Sequence, residues 1–232
     1  MLARAVAGHH GAAASTAFEE VFSVSDDRPS TAANPWDKSI TVPDGDNRVL
    51  IALGFAQDTL PALALDPAGD DIAWENIADS TESGDRTWAF KLLETALPAT
   101  GAKIQRATFS GTKAGLSQII GLHGASQTVY ADQNSSAVSG DTLAVSVTRP
   151  SGNFPVGSKV YSVGHSASAT DLTVTITDDA TEDREIFVTP TNDNVAYAAG
   201  ALGSEQSTVT ATFTWSATSP RRTGVIVVVE PA

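Results

Sequence analysis

The chain has 232 residues, 41% of them hydrophobic and 18% charged, a balance that suits a soluble globular protein rather than a disordered or membrane-embedded one. A formal net charge of −13 would repel a phosphate backbone, which argues against nucleic-acid binding. There is no cysteine, so disulfides, thiolate metal sites and cysteine nucleophiles are excluded together.

The leader "MLARAVAGHHGAAASTA" has an early arginine, but His9 and His10 interrupt it before an apolar stretch of signal-peptide length develops. It reads as an irregular arm over residues 1–17, with no secretory signal, and Leu2, Val6, His9 and His10 are its candidate partner-anchoring residues. "AASTAFEEVF" is either a short capped turn or the run into a first strand. "PDGDN" follows as a turn, and then "NRVLIALGFA" and, at the other end of the chain, "GVIVVVE" are nearly continuous apolar runs. Such runs suit strands covered on both sides.

"DPAGDD", "STESGD", "PATGA" and "RPSGNFPVG" are turn-forming clusters between further strands. "RTWAFKLLE" alternates Trp88, Phe90 and Leu92 with Thr87, Ala89 and Lys91, and "DTLAVSVT" and "DLTVTIT" alternate in the same way, so all three read as half-buried strands. In "STVTATFTWSA" Thr208, Thr210, Thr212 and Thr214 alternate with Val209, Ala211, Phe213 and Trp215: one face is apolar and the other is a hydroxyl ladder. Trp88 and Trp215 read as core. The ladder is explained by a solvated strand face, with subunit packing as the second reading. The whole predicts an all-β fold, an antiparallel β-sandwich or jelly roll, as a single domain over residues 18–232 with no exact internal repeat.

The order of "NRVLIALGF", "RTWAFKLLETALPATGAKIQRATFSG", "GLSQIIGLHGASQ" and "TGVIVVVEPA" resembles the successive strands of a β-sandwich display domain found in bacterial extracellular proteins and phage virion proteins. The resemblance implies a display or adhesion module and brings no catalytic residues. It departs from the family at "LDPAGDD", where a Gly-Gly turn is usual, and at "GLHGASQ", where an apolar strand end is usual.

Candidate chemistry is sparse. "GHSAS" approaches a nucleophile elbow around Ser166, but the last glycine is missing and a strand follows where a helix is required. His9, His10, His123 and His165 show no metal-ligand spacing. Asp44, Asp46 and Asn47, and the group Asp178, Asp179, Glu182 and Asp183, are calcium candidates; turn chemistry accounts for the first and solvated charge for the second. Trp36, Trp74 and Tyr130 fall outside the clean core alternation and are candidate glycan-stacking residues.

The expected function is therefore that of a non-enzymatic virion structural protein at the surface of a phage or phage-like particle: a decoration, head-fibre or tail-associated subunit. Its partners are other virion or capsid subunits in a homo- or hetero-oligomer, with a host surface glycan as a further candidate; no cofactor, nucleic acid or membrane insertion is expected. The alternative is an extracellular bacterial surface module for carbohydrate binding or adhesion.

Overall fold

The computed structural model describes residues 18–28, 34–57, 59–110, 115–167, 174–176, 181–188 and 193–232. The arm over 1–17, with Leu2, Val6, His9 and His10, lies outside them, as do Asp178 and Asp179. The described chain is all-β. Its strands are β1 (Glu19–Arg28), β2 (Trp36–Val42), β3 (Val49–Gln57), β4 (Ala62–Leu65), β5 (Ile72–Ala73), β6 (Glu75–Glu82), β7 (Asp85–Leu93), β8 (Gly101–Thr108) and β9 (Gly115–His123). There follow β10 (Ala125–Ser136), β11 (Gly140–Thr148), β12 (Lys159–Ala167), β13 (Val174–Ile176), β14 (Thr181–Val188), β15 (Asp193–Ala201), β16 (Thr208–Ser219) and β17 (Arg222–Pro231).

Pairing divides these strands into two sandwiches that meet at Gly124, a residue with φ 63°. The first has sheets β1-β9-β3-β7-β6 and β2-β8-β4-β5; the second has β10-β17-β12-β15-β14 and β11-β16-β13. The pattern occurs twice. In each half the first strand lies beside the last, the last beside the third, and the second beside the penultimate. The registers also agree, with Val49–Gln57 set against Leu93–Asp85 and Lys159–Ala167 against Ala201–Asp193 without offset. Position for position, Gly54 corresponds to Gly164, Phe55 to His165 and Asp85 to Asp193.

The two five-stranded sheets pack against each other, so the described residues form four layers and three cores. Val49, Ile51, Leu53 and Phe55 of β3 face a central core with Tyr161, Val163, Tyr197, Val225, Val227 and Val229. The alternate residues Leu50, Ala52 and Ala56 face the first outer core, as Ile226 and Val228 of β17 face the second beneath Phe213 and Trp215. Period-two geometry applied to strands covered on both sides thus requires the continuous apolar runs seen in β3 and β17. The same burial corrects one reading: β7 is not half-buried, since Thr87 and Ala89 are as inaccessible as Trp88. Their face meets the second sandwich, which its alternation did not reveal.

Two local devices hold this packing. Gly164 and Gly224 are cross-strand partners, and a Cβ on Gly164 would lie 2.5 Å from the Phe213 ring. At the entry to β3, Arg48 bonds both oxygens of Glu94, at 2.6 Å from its NH2 nitrogen to Oε1 and 2.6 Å from its backbone N–H to Oε2. It also donates to the Pro98 carbonyl at 3.2 Å.

Gly164→Ala is expected to destabilise the protein by about 1–3 kcal/mol through overpacking against Phe213. Gly203→Ala, where an added Cβ meets nothing within 4 Å, is expected to stay within about 0.5 kcal/mol; urea unfolding of both variants checks the contrast. The Arg48 hydrogen bonds, foremost, hold the Glu94 carboxyl below its ordinary value of 4.5. A depressed carboxylate stabilises the fold above its unfolded value and loses that contribution as the pH falls through the folded one. An Arg48→Met, Glu94→Gln double-mutant cycle should therefore show coupling at neutral pH that shrinks as the pH is lowered below 4.5.

Candidate functional site

At one end of the central core the apolar facing gives way to polar groups. Alternation along β3 and β7 carries Phe55 and Gln57, Asp85 and Thr87 onto the inner face of the first five-stranded sheet. On the second sheet β12, β15 and β17 contribute His165, Asp193 and Thr223. Arg221 reaches the cluster from the turn between β16 and β17.

His165 Nε2 lies 2.9 Å from Asp193 Oδ1, and the Gln57 amide donates to the other oxygen of Asp193 at 3.1 Å. The imidazole stacks on Phe55 with centroids 4.4 Å apart and 15° between planes, and its Nδ1 lies 3.5 Å from Thr223 Oγ1. Arg221 stands 3.0 Å from Asp85 Oδ2 and donates to the Ser83 carbonyl at 3.1 Å. One ligand-type atom each from Asp85, His165 and Asp193 lies within 4.8 Å of the others, and all three residues are buried. Like charges at that separation repel by about 3 kcal/mol at an effective dielectric constant of about 20. The carboxylates therefore need positive charge between or beside them. Arg221 supplies it to Asp85 from a side chain 37% exposed.

Thr223, His165 and Asp193 have the residue types of a hydrolytic relay, yet their side chains are packed between two sheets, with Thr223 and His165 at 0% exposure. A substrate carbonyl has no approach there among the described residues. Ser166 is the neighbour of His165 in β12, so strand geometry sends its hydroxyl to the opposite face. It is buried, its Oγ has no hydrogen-bond partner, and the strand runs through it without an elbow.

The aromatic candidates require correction as platforms. Trp74 is 6% exposed within the first outer core. Trp36 is half-buried at the edge of that core, with Phe109 at 6.5 Å and the Lys38 ammonium 6.0 Å from its ring centre. Tyr130 packs edge-on to Phe154 at 5.1 Å, with Arg149 6.0 Å from its ring centre. Trp74 is therefore closed to a sugar, while Trp36 and Tyr130 stay partly exposed beside these neighbours. Asp44, Asp46 and Asn47 lie in the exposed turn before β3, where Asp44 accepts from the Gly45 N–H at 2.9 Å and Asn47 takes φ 56°. Backbone carbonyls of Asp46 and Asn47 accept from Gly124 and Ala125 at 2.9 Å each, so this turn holds the junction of the two halves. His123 lies at the far end of β9 from the His165 cluster and faces Glu19 at 3.8 Å.

Between the edge strands β6 and β10 runs a shallow polar groove of about 350 Å³, lined by residues including Asn76, Asp79, Asp132 and Gln133. Burial raises the Asp79 carboxyl above its ordinary value, against the opposing pull of Arg86, which holds it at 2.9 Å. No protein-family model matches the chain, and no curated protein matches it.

Asp193→Ala would leave His165 and Gln57 without their shared partner and is expected to destabilise the fold by about 3–5 kcal/mol. Ser166→Ala removes a buried hydroxyl that has no partner and is expected to stabilise it by roughly 1 kcal/mol. Urea midpoints of the two variants should therefore move in opposite directions, although the first site lies close to the second.

Proposed function

We propose that the protein is a non-enzymatic virion structural subunit, a decoration, head-fibre or tail-associated component of a phage or phage-like particle. In this reading each half is a jelly roll, which the repeated placing of first beside last and second beside penultimate strand supports. The observation that carries the proposal is the outer face of the β11-β16 sheet. Thr142, Ala144, Ser146 and Thr148 point outward on β11 beside Thr214, Thr212, Thr210 and Thr208 on β16. In a chain with a net charge of −13, these positions carry no charge.

Several hydroxyls already bond one another, Ser146 to Thr210 at 2.8 Å and Thr148 to Thr208 at 3.0 Å. Such a face meets a neighbouring subunit with little desolvation of charge. Burial of Ser166, Thr223 and Trp74 supports a structural role over hydrolysis or glycan stacking at those residues. The arm over residues 1–17 belongs to the proposal as the anchor.

Full-length protein is expected to co-sediment with candidate phage particles or to assemble in solution. The double variant Ala144→Lys/Thr212→Lys places charges opposite each other on the hydroxyl face, and Leu2→Asp/Val6→Asp charges the arm. Each is expected to weaken attachment by about tenfold or more, roughly 1.4 kcal/mol, in a protein that stays folded, the opposed lysines lowering the melting temperature slightly. A monomer that attaches to nothing, or attachment indifferent to both pairs of substitutions, would refute the structural reading.

A further inference from the structure

The repeated register places the buried cluster on an approximate two-fold relation between the halves. Phe55 and His165 occupy equivalent positions and stack on each other. Asp85 and Asp193 are likewise the equivalent first residues of β7 and β15, and both reach the same point. An isologous interface sets residue i against j as j meets i, and brings only positions close to the two-fold near their own counterparts. Here it brings together two buried carboxylates, and the second copy carries His165 where the first carries Phe55. We infer that Asp85, His165 and Asp193 form a binding site for one small divalent transition cation of the zinc type.

The ligand chemistry fits that class. One imidazole nitrogen and two carboxylate oxygens are zinc ligands at bond lengths of about 2.0–2.2 Å, and the three atoms already lie within 4.8 Å of one another. The surroundings have the supports that metal ligands use to fix their orientation. Gln57 holds the outer oxygen of Asp193 at 3.1 Å, while Thr223 Oγ1 stands 3.5 Å from His165 Nδ1, which leaves Nε2 turned toward the carboxylates. Phe55 fixes the ring plane. A divalent ion would offset the repulsion between the two aspartates, of which Arg221 faces only Asp85, at 3.0 Å. Calcium needs six to eight oxygens and is not matched by this set.

The test uses full-length protein stripped with EDTA and titrated with zinc chloride, with bound zinc measured by equilibrium dialysis and stability by thermal unfolding. A His9→Ala/His10→Ala variant serves as the background that removes the histidine pair of the leader. In that background one zinc per chain is expected, with a melting temperature that rises with zinc concentration, as selective binding to the folded state requires. Calcium at equal concentration is expected to leave it unmoved. His165→Phe, which puts the counterpart's ring into the stack, and separately Asp193→Asn and Asp85→Asn, are expected to weaken zinc binding by at least about tenfold. Absence of stoichiometric zinc in the folded unsubstituted protein would overturn the inference without need of any variant. Zinc that persists through all three ligand substitutions, or that disappears with the leader histidines alone, would overturn it too. The proposal does not depend on virion attachment, so either can fail while the other stands.

Discussion

The packing of one five-stranded sheet against another is the constraint on which the rest of the structure depends. A sheet in a single sandwich has one wet face. Here β3, β7, β12, β15 and β17 are covered on both, so almost every residue in them must be apolar or have a polar partner inside the protein. Each fully buried Val, Leu, Ile or Phe side chain contributes about 1.5–3 kcal/mol. The central layer, where Ile51, Leu53, Phe55, Tyr161, Val227 and Val229 meet, therefore binds the two halves with a core of the same kind as holds each half together. The outer sheets return to strict alternation. β16 shows this most plainly, with Val209, Ala211, Phe213 and Trp215 inside and the four threonines outside.

Back-to-back packing of two copies also determines where unlike residues have to appear. Equivalent positions near the relation between the halves meet their own counterparts, and a carboxylate at the same position of both halves meets another carboxylate. Asp85 and Asp193 are such a pair, and His165, where the first half has Phe55, gives Asp193 a partner at 2.9 Å. The two halves are alike in topology and differ here in the side chain set beside the carboxylates. The corresponding strand entries diverge in the same way, with Arg48 clamping Glu94 in the first half where Ser158 donates to the Pro155 carbonyl at 2.7 Å in the second.

Much of the fold was legible in the sequence because period-two alternation and unbroken apolar runs report how many faces of a strand are covered. The runs beginning at Val49 and Gly224 and the ladder of β16 correspond directly to the doubly covered strands and the outer sheet. The strand "RTWAFKLLE" misled because Thr87 and Lys91 look like a wet face; Thr87 is buried by the second sandwich, a partner that local pattern cannot announce. Trp74 and Tyr130 misled for the opposite reason. They sit outside regular alternation, yet Trp74 is buried in the first outer core and Tyr130 packs partly buried against the second. The candidate cluster was not legible at all. His165 and Asp193 are separated by β13 and β14, and Asp85 belongs to the other half. Across the equivalent registers of β3 with β12 and β7 with β15, the sequence shares only Gly54 with Gly164 and Asp85 with Asp193.

Doubly covered strands raise a further question, that of register. In a sheet with one wet face, a slip by one residue exchanges apolar for polar and is strongly disfavoured. In β3 or β17 the same slip exchanges one apolar residue for another, so hydrophobicity alone discriminates poorly. What discriminates is the small set of residues that fit one side only. Slipping β12 by one position would turn His165 away from Asp193 and drive a side chain into the space above Gly164 that Phe213 fills. Slipping β3 would pull Gln57 from Asp193 and shift the strand entry against the Arg48–Glu94 clamp. The polar cluster and the close-approach glycine thus supply the specificity that the apolar runs lack. A buried charge is costly in a core of this kind, and it is placed at the end of the central layer, where misalignment of β3, β12 or β15 would break the contacts of Asp193.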